Sequence, residues 1–350
     1  MSAPGTTGTA GAAAARADAA GWDERTSVRI HMERLGEGYG DAIRRGLEYT
    51  GLGARIRPGD TVFLKPNLTF PQFRPGVMTT PRCVEELVLA LLDYTPNVIV
   101  GEADSGGYNP FSMDEVFRST GLDEIARRTG TRLVNLTNEP SRDLRFEERG
   151  HELAVPLPVL LLDEVDHVLT VPVPKVHANT GVSMSIKNQW GCIQAPSMRL
   201  RLHPFFARVI HEVNRALRVA GSVIDGRFGL NRNGPMRGDV ERLDWLLVAD
   251  DILAADQVCC EVMRLDPRRI AYLRDFARRH RLPPRADFAT SADPASFAGP
   301  RFHLERDWLD YPGYFAFRSP RLAWLAYHSP LSTALHRVLY LFREKFYDHP

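Results

Sequence analysis

Short apolar runs alternate with helix-length segments through residues 27–282, and this predicts an α/β fold: parallel or mixed sheets covered by helices, with a helical C-terminal appendage. Two observations support it beyond the alternation. The runs are four or five residues long and rich in Val, Ile and Leu, as strands buried between helical layers are. The chain is also 44% hydrophobic and 25% charged over 350 residues, enough to bury the core of one large domain or two ordinary ones.

The order of elements begins at Val28. Val28-Arg29-Ile30-His31-Met32 alternates like a strand, and residues 41–49 suit a helix that stops near Gly51. Thr61-Val62-Phe63-Leu64 is a strand after a Pro58-Gly59-Asp60 turn. Thr80 starts a helix with Pro81 in its first position. Asn97-Val98-Ile99-Val100 is the next strand, 112–128 a helix broken at Gly121, and Arg132-Leu133-Val134-Asn135-Leu136 a strand. Val168-Leu169-Thr170-Val171-Pro172 reads as a buried strand, 204–219 as a long helix, and Ser222-Val223-Ile224-Asp225 and Trp245-Leu246-Leu247-Val248-Ala249 as strands. Helices at 251–263 and 267–280 complete a core spanning 23–283.

The ends differ from this core. Residues 1–22 are mostly Ala, Gly, Thr and Ser, with Arg16 and Asp18 interrupting the apolar part and no basic start, so they read as a mobile tail rather than a signal peptide. Residues 284–315 are Pro/Ala-rich and read as a linker. Residues 316–350 form an amphipathic appendage in which Pro330 separates two short helices, with arginines among the leucines and aromatics. Its apolar face is expected to dock on the body, on a second subunit, or on an anionic membrane surface.

Charge and cysteine usage exclude several function classes. Lys+Arg 44 against Asp+Glu 43 is not the balance of a nucleic-acid binder. Cys83, Cys192, Cys259 and Cys260 form no C-x-x-C, which argues against a disulfide framework, a zinc ribbon or a cysteine-held iron–sulfur cluster, and suits a reducing cytoplasm. Cys259 and Cys260 sit on an apolar helix and read as core, as does His211 among Phe206, Ile210 and Val213.

The residues just past the end of each strand point to chemistry, because ligands in open α/β sheets bind beyond the carboxyl ends of the strands. Lys65-Pro66-Asn67 comes after the second strand, Glu102-Ala103-Asp104-Ser105 after the third, Lys175-Val176-His177-Ala178-Asn179 after the run at 168–174, and Asp225-Gly226 after the strand at 222–224. Ser183-Met184-Ser185-Ile186-Lys187-Asn188 precedes Gly191 and Trp190, whose ring is placed to wall a pocket. Taken singly, each cluster is equally a surface lysine, a turn or a cap. Together they predict one cleft with Lys65, Lys175 and Lys187 as cations. Asn67, Asn179, Asn188, Ser183 and Ser185 would be hydrogen-bonding groups, Asp104 and Asp225 orienting carboxylates, and His177 a group titrating near neutrality. Lysines sharing a cleft favour an anionic ligand and depress one another's pKa, which suits them as bases or as nucleophiles toward a carbonyl. The stretch 225–238, with its glycines, Arg227, Arg232, Arg237 and Asn233, reads as a ligand-binding loop, but matches neither standard nucleotide-loop pattern, so no cofactor is assigned. A single His beside carboxylates leaves a metal site as a weaker alternative.

Lys65-Pro66-Asn67, Lys175-Val176-His177, the block 180–188, Asp225-Gly226, Asn233-Gly234-Pro235 and the acids at 250–256 resemble, in the same order, the signature blocks of the domain-of-unknown-function 362 family. The resemblance spans about residues 25–282. It implies an α/β fold and a site, but no reaction. Many members carry a ferredoxin-like segment with clustered cysteines, which are missing here, so an iron–sulfur role is not implied.

The expectation is therefore a cytoplasmic enzyme acting on a small carboxylate or phosphate. Lys65, Lys175, His177 and Lys187 would act on the substrate, and Asn67, Asp104, Asn179, Ser183, Ser185, Asn188, Asp225 and Asn233 would hold it. The rivals are a non-catalytic binding or membrane-surface protein and a metal-dependent or redox-associated one.

Overall fold

Central strands buried on both faces must be apolar at every position, and that requirement organises the molecule. The computed structural model describes residues 22–105, 111–339 and 341–342. β1 (Arg29–Arg34), β2 (Val62–Pro66), β3 (Val98–Glu102), β4 (Arg132–Asn135), β7 (His167–Val171), β10 (Val219–Asn231), β11 (Asp239–Ala249) and β12 (Ala289–Thr290) form a mixed sheet in the order β12-β1-β11-β10-β7-β2-β3-β4. β10, β7, β2, β3 and β4 run parallel, while β11 is antiparallel to both its neighbours. Two short strands, β8 (Lys175–His177) and β9 (Gly181–Ser183), attach at the end of β10.

The two-residue period of a strand divides the core between the two faces of this sheet. Phe63, Ile99, Val168 and Leu247 belong to one apolar cluster, and Val62, Leu64, Val98, Val100, Leu246 and Val248 to the other. The first cluster is closed by the helices Phe206–Leu217 and Ile252–Val262, the second by Gly40–Thr50 and Pro81–Leu91. Pro81 occupies the first turn of its helix as expected, and Gly121 separates Met113–Ser119 from Leu122–Thr129 in a left-handed conformation. Cys192, Cys259 and Cys260 are buried, and burial pushes the Cys192 thiol up to about 12.

Three expectations change. The stretch 225–238 is not a free loop: β10 continues through Asn231 and forms a long antiparallel hairpin with β11. The stretch read as a linker lies on the body, with Ala289–Thr290 pairing β1 and Phe288, Phe297 and Phe302 buried. A second hairpin, β5 (Ser141–Glu148) with β6 (His151–Pro158), stands where no strand pair is expected. Residues 1–21 of the expected N-terminal tail lie outside the described residues. Trp22 lies within them and packs its ring beside His280. The C-terminal segment forms Tyr311–Ala316, Pro320–Tyr327 and Ser332–Leu339, the last two divided at Pro330. Among the described residues no helix is long and apolar enough to cross a membrane.

Candidate functional site

Adjacent parallel strands end side by side, so polar residues at their carboxyl ends become neighbours. Lys65 of β2 and Glu102 of β3 pair at 2.7 Å, and Lys65 Nζ also donates to the Pro66 carbonyl at 2.7 Å. Glu102 accepts the Leu68 backbone N–H at 3.1 Å. The Asn188 amide donates to the Lys65 carbonyl (2.7 Å) and to Thr170 Oγ1 (2.9 Å), tying the short helix Ser185–Asn188 to the sheet edge. Lys175 Nζ donates to the Val77 carbonyl at 2.8 Å. Lys65 and Lys175 are both almost completely buried. The chain closes over the pair at Gly191, where an added Cβ would overlap Glu102 Oε1 and stand 2.9 Å from Lys65 Nζ. Any larger residue would force the ion pair apart.

Beside this buried layer lies a cavity of about 330 Å³. Four of the expected residues line it: His177, Asn179, Lys187 and Asn233. Trp190 walls it as expected, and Arg237 comes from the turn after β10. Arg199 and His203 add to the expected set, as do Asp310, Gly313, Phe317 and Tyr327 of the C-terminal segment, which forms one side. A smaller cavity of about 150 Å³ is lined by Thr69, Glu102 and Ser105 and shares Arg199 and Met236 with the first. On the other side of His203, a cleft of about 330 Å³ carries Arg149, Arg208, Arg274, Arg278, Arg279 and Arg318.

Burial and like charge set the electrostatics. Burial is the main cause holding Lys187 down to about 7, with the Arg199 guanidinium adding to it. No acceptor bonds its ammonium among the described residues, and Nζ lies 5.9 Å from the centre of the Phe206 ring. Lys175 is held well below the usual lysine range, first by burial and then by Lys187. Burial and Lys187 also hold His177 well below the usual histidine range and His203 at about 3. The expectation that His177 titrates near neutrality is thereby corrected: it is a neutral imidazole, and the group titrating there is Lys187. Since the Asn179 N–H donates to His177 Nδ1 at 3.1 Å, the ring hydrogen sits on Nε2. Arg199 donates to the carbonyls of Asp104 (2.8 Å) and Ile193 (2.9 Å), while its Nε is buried without a partner.

The remaining expected residues do not line this cavity. Asp104 accepts the Met113 N–H and the Asn135 amide, which orients the loop after β3. Asp225 lies outside the cavity and accepts Tyr39 Oη–H (2.9 Å), the Thr80 N–H (2.8 Å) and the Arg227 N–H (3.1 Å), fastening β10 to the helix that begins at Pro81. Ser185 Oγ bonds Ser222 Oγ, and Ser183 lies opposite Lys175 in the β8–β9 ladder. Asn67 donates its backbone N–H to Thr79 Oγ1, and its Oδ1 is buried without a partner. Of the three arginines in the stretch 225–238, Arg237 lines the cavity, while Arg227 pairs with Asp244 and Arg232 with Glu305. Among the described residues no three His, Cys, Asp or Glu side chains are grouped to hold a metal ion.

Several known proteins resemble this chain. Thylakoid-associated protein sll1697 of Synechocystis sp. is 26% identical over 239 residues, covering 63% of this chain and 68% of the relative. Among solved structures, the lactate racemase apoprotein of Thermoanaerobacterium thermosaccharolyticum matches 67% of this chain at 16% identity with a TM-score of 0.43. A Thermotoga maritima protein matches 67% of it at 15% identity, also with a TM-score of 0.43. The chain spans 56% and 61% of those two solved chains. The sequence blocks at 65–67, 175–188 and 225–226 fall within residues 62–261, which match the model of the family described as Domain of unknown function (DUF362), and the chain belongs to that family.

Proposed function

We propose that the chain is an enzyme acting on a small anionic substrate, a carboxylate or a phosphate, by lysine-centred proton transfer in the 330 Å³ cavity. The observation that carries this reading is Lys187: it lines the cavity, is held at about 7 and has no hydrogen-bond acceptor of its own among the described residues. A lysine so placed is half neutral at physiological pH and can take a proton from carbon or attack a carbonyl. Arg199 and Arg237 match the anion, and a neutral His177 donates from Nε2 to oxygen where charge develops. Lys65, paired with Glu102, and Lys175 brace the layer beneath by holding the Pro66 and Val77 carbonyls.

Two measurements test the reading. Competitive acetylation read by mass spectrometry is expected to show Lys187 titrating near neutrality, against about 10 for an ordinary lysine. A thermal-shift titration with inorganic phosphate and with pyruvate is expected to stabilise the wild type and to lose most of that effect in Lys187→Met. An ordinary titration of Lys187, with equal ligand response in both proteins, overturns it.

A further inference from the structure

Exposed apolar surface is normal when scattered and informative when gathered. Among the described residues, thirteen large apolar side chains stand exposed, and eleven of them come from residues 308–342. Leu335 and Val338 stand exposed on the helix Ser332–Leu339, with Leu331 just before it and Phe342 in the turn after it. Trp308 meets Phe342 edge-on at 6.1 Å, joining those side chains to the Tyr311–Ala316 turn, and Trp324 and Leu325 stand exposed on the neighbouring helix. The charge is one-sided. Between Asp310 and Glu344 the sequence has no acidic residue and four arginines, and Arg321 and Arg337 make no ion pair among the described residues.

We infer that residues 308–339 and 341–342 form a peripheral membrane-docking surface for anionic lipid. The short helices would lie in the headgroup plane, with leucines inserted, aromatics at the interface and arginines on the phosphates. A second copy of this chain is the poorer occupant, because a symmetric contact through this face would set arginine against arginine with only Asp310, already bonded to Asn233, as an acid on it. The same segment lines the cavity through Gly313, Phe317 and Tyr327, so docking would bring the cavity mouth next to the bilayer.

The test is co-sedimentation of the full chain with vesicles of phosphatidylcholine alone and with about a third phosphatidylglycerol. Strong preference for the anionic vesicles is expected. Arg321→Gln and Arg337→Gln should each weaken binding about five-fold, and Leu335→Asp with Val338→Asp should abolish it. These side chains are exposed, so the variants should keep the wild-type circular dichroism and melting temperature. Equal partition to both vesicle types, or none to either, overturns the proposal. So does a wild type that sediments as a dimer while the Leu335→Asp/Val338→Asp variant sediments as a monomer.

Discussion

Lys187→Met provides a direct measurement of the strain that the cavity places on its lysine. The side chain keeps its apolar stem and loses the ammonium. Lys187 is held at about 7 against an ordinary value of 10.5. Between those two values the unfolded chain keeps a proton that the folded chain releases, so this group makes stability rise with pH there, and its penalty is complete below pH 7. The gap corresponds to roughly 5 kcal/mol for a fully dry site. Carried through the linkage relation, about 5 kcal/mol of penalty is present at pH 6 and about 2 kcal/mol at pH 9. Part of the lysine faces the cavity, where water screens it, so the realised change between these pH values is about 1–2 kcal/mol. Urea unfolding of wild type and variant at pH 6 and pH 9 measures it. The variant should be the more stable protein at pH 6, with its advantage shrinking by that amount at pH 9. A difference that stays constant, or grows with pH, refutes the reasoning.

Three further perturbations probe the layer beneath and its supports. Lys65→Met leaves the Glu102 carboxylate buried without its partner and should cost about 3–5 kcal/mol in chemical denaturation, most of it recovered in Lys65→Met/Glu102→Leu; equal losses in the single and double variants would contradict the pairing. Gly191→Ala drives a methyl into Glu102 and should lower stability by about 1–3 kcal/mol, visible as a reduced melting temperature. Asp256 accepts the backbone N–H groups of Ser185 and Ile186, and burial raises it to about 7. The folded state therefore holds the proton more tightly, and this group's contribution to stability is lost as pH rises from about 4 through 7. Asp256→Asn removes that slope, so the variant should compare more favourably with wild type at pH 8 than at pH 4.5. The reverse trend would show that the carboxylate is stabilised in its charged form.

The parallel half of the sheet is legible because its strands are covered on both faces. Val62, Phe63 and Leu64 are all apolar for that reason, and so are Val98, Ile99 and Val100. β5 is invisible to the same logic: Ser-Arg-Asp-Leu-Arg-Phe-Glu-Glu is mostly exposed, so its alternation is diluted by charge and reads as loop. β10 is cut short by its glycines, yet Gly226 is there because the Trp245 ring lies where a Cβ would project. The site is half legible. A lysine ending an apolar strand announces its position on the sheet edge, which suffices for Lys65 and its neighbours. Position does not give direction, so Asp104 and Asp225 read as ligand groups although their oxygens hold backbone N–H groups. Arg199 and His203 come from a turn of helix between two prolines, where no strand precedes them to mark the place.

The cavity wall is assembled from segments far apart in the chain, at residues 177–237 and 310–327, and that separation gives any occupant mechanical leverage. A ligand touching Lys187 on one side and Phe317 or Tyr327 on the other binds only while the C-terminal segment is seated. Its free energy is then added to the seating, by RT ln(1 + [ligand]/Kd). Cleavage by trypsin after Arg318 and Arg321, both exposed on that segment, becomes a clock for occupancy, slowing in proportion to saturation. Ligands can thus be ranked by how well they protect two peptide bonds, before the reaction they undergo has been identified.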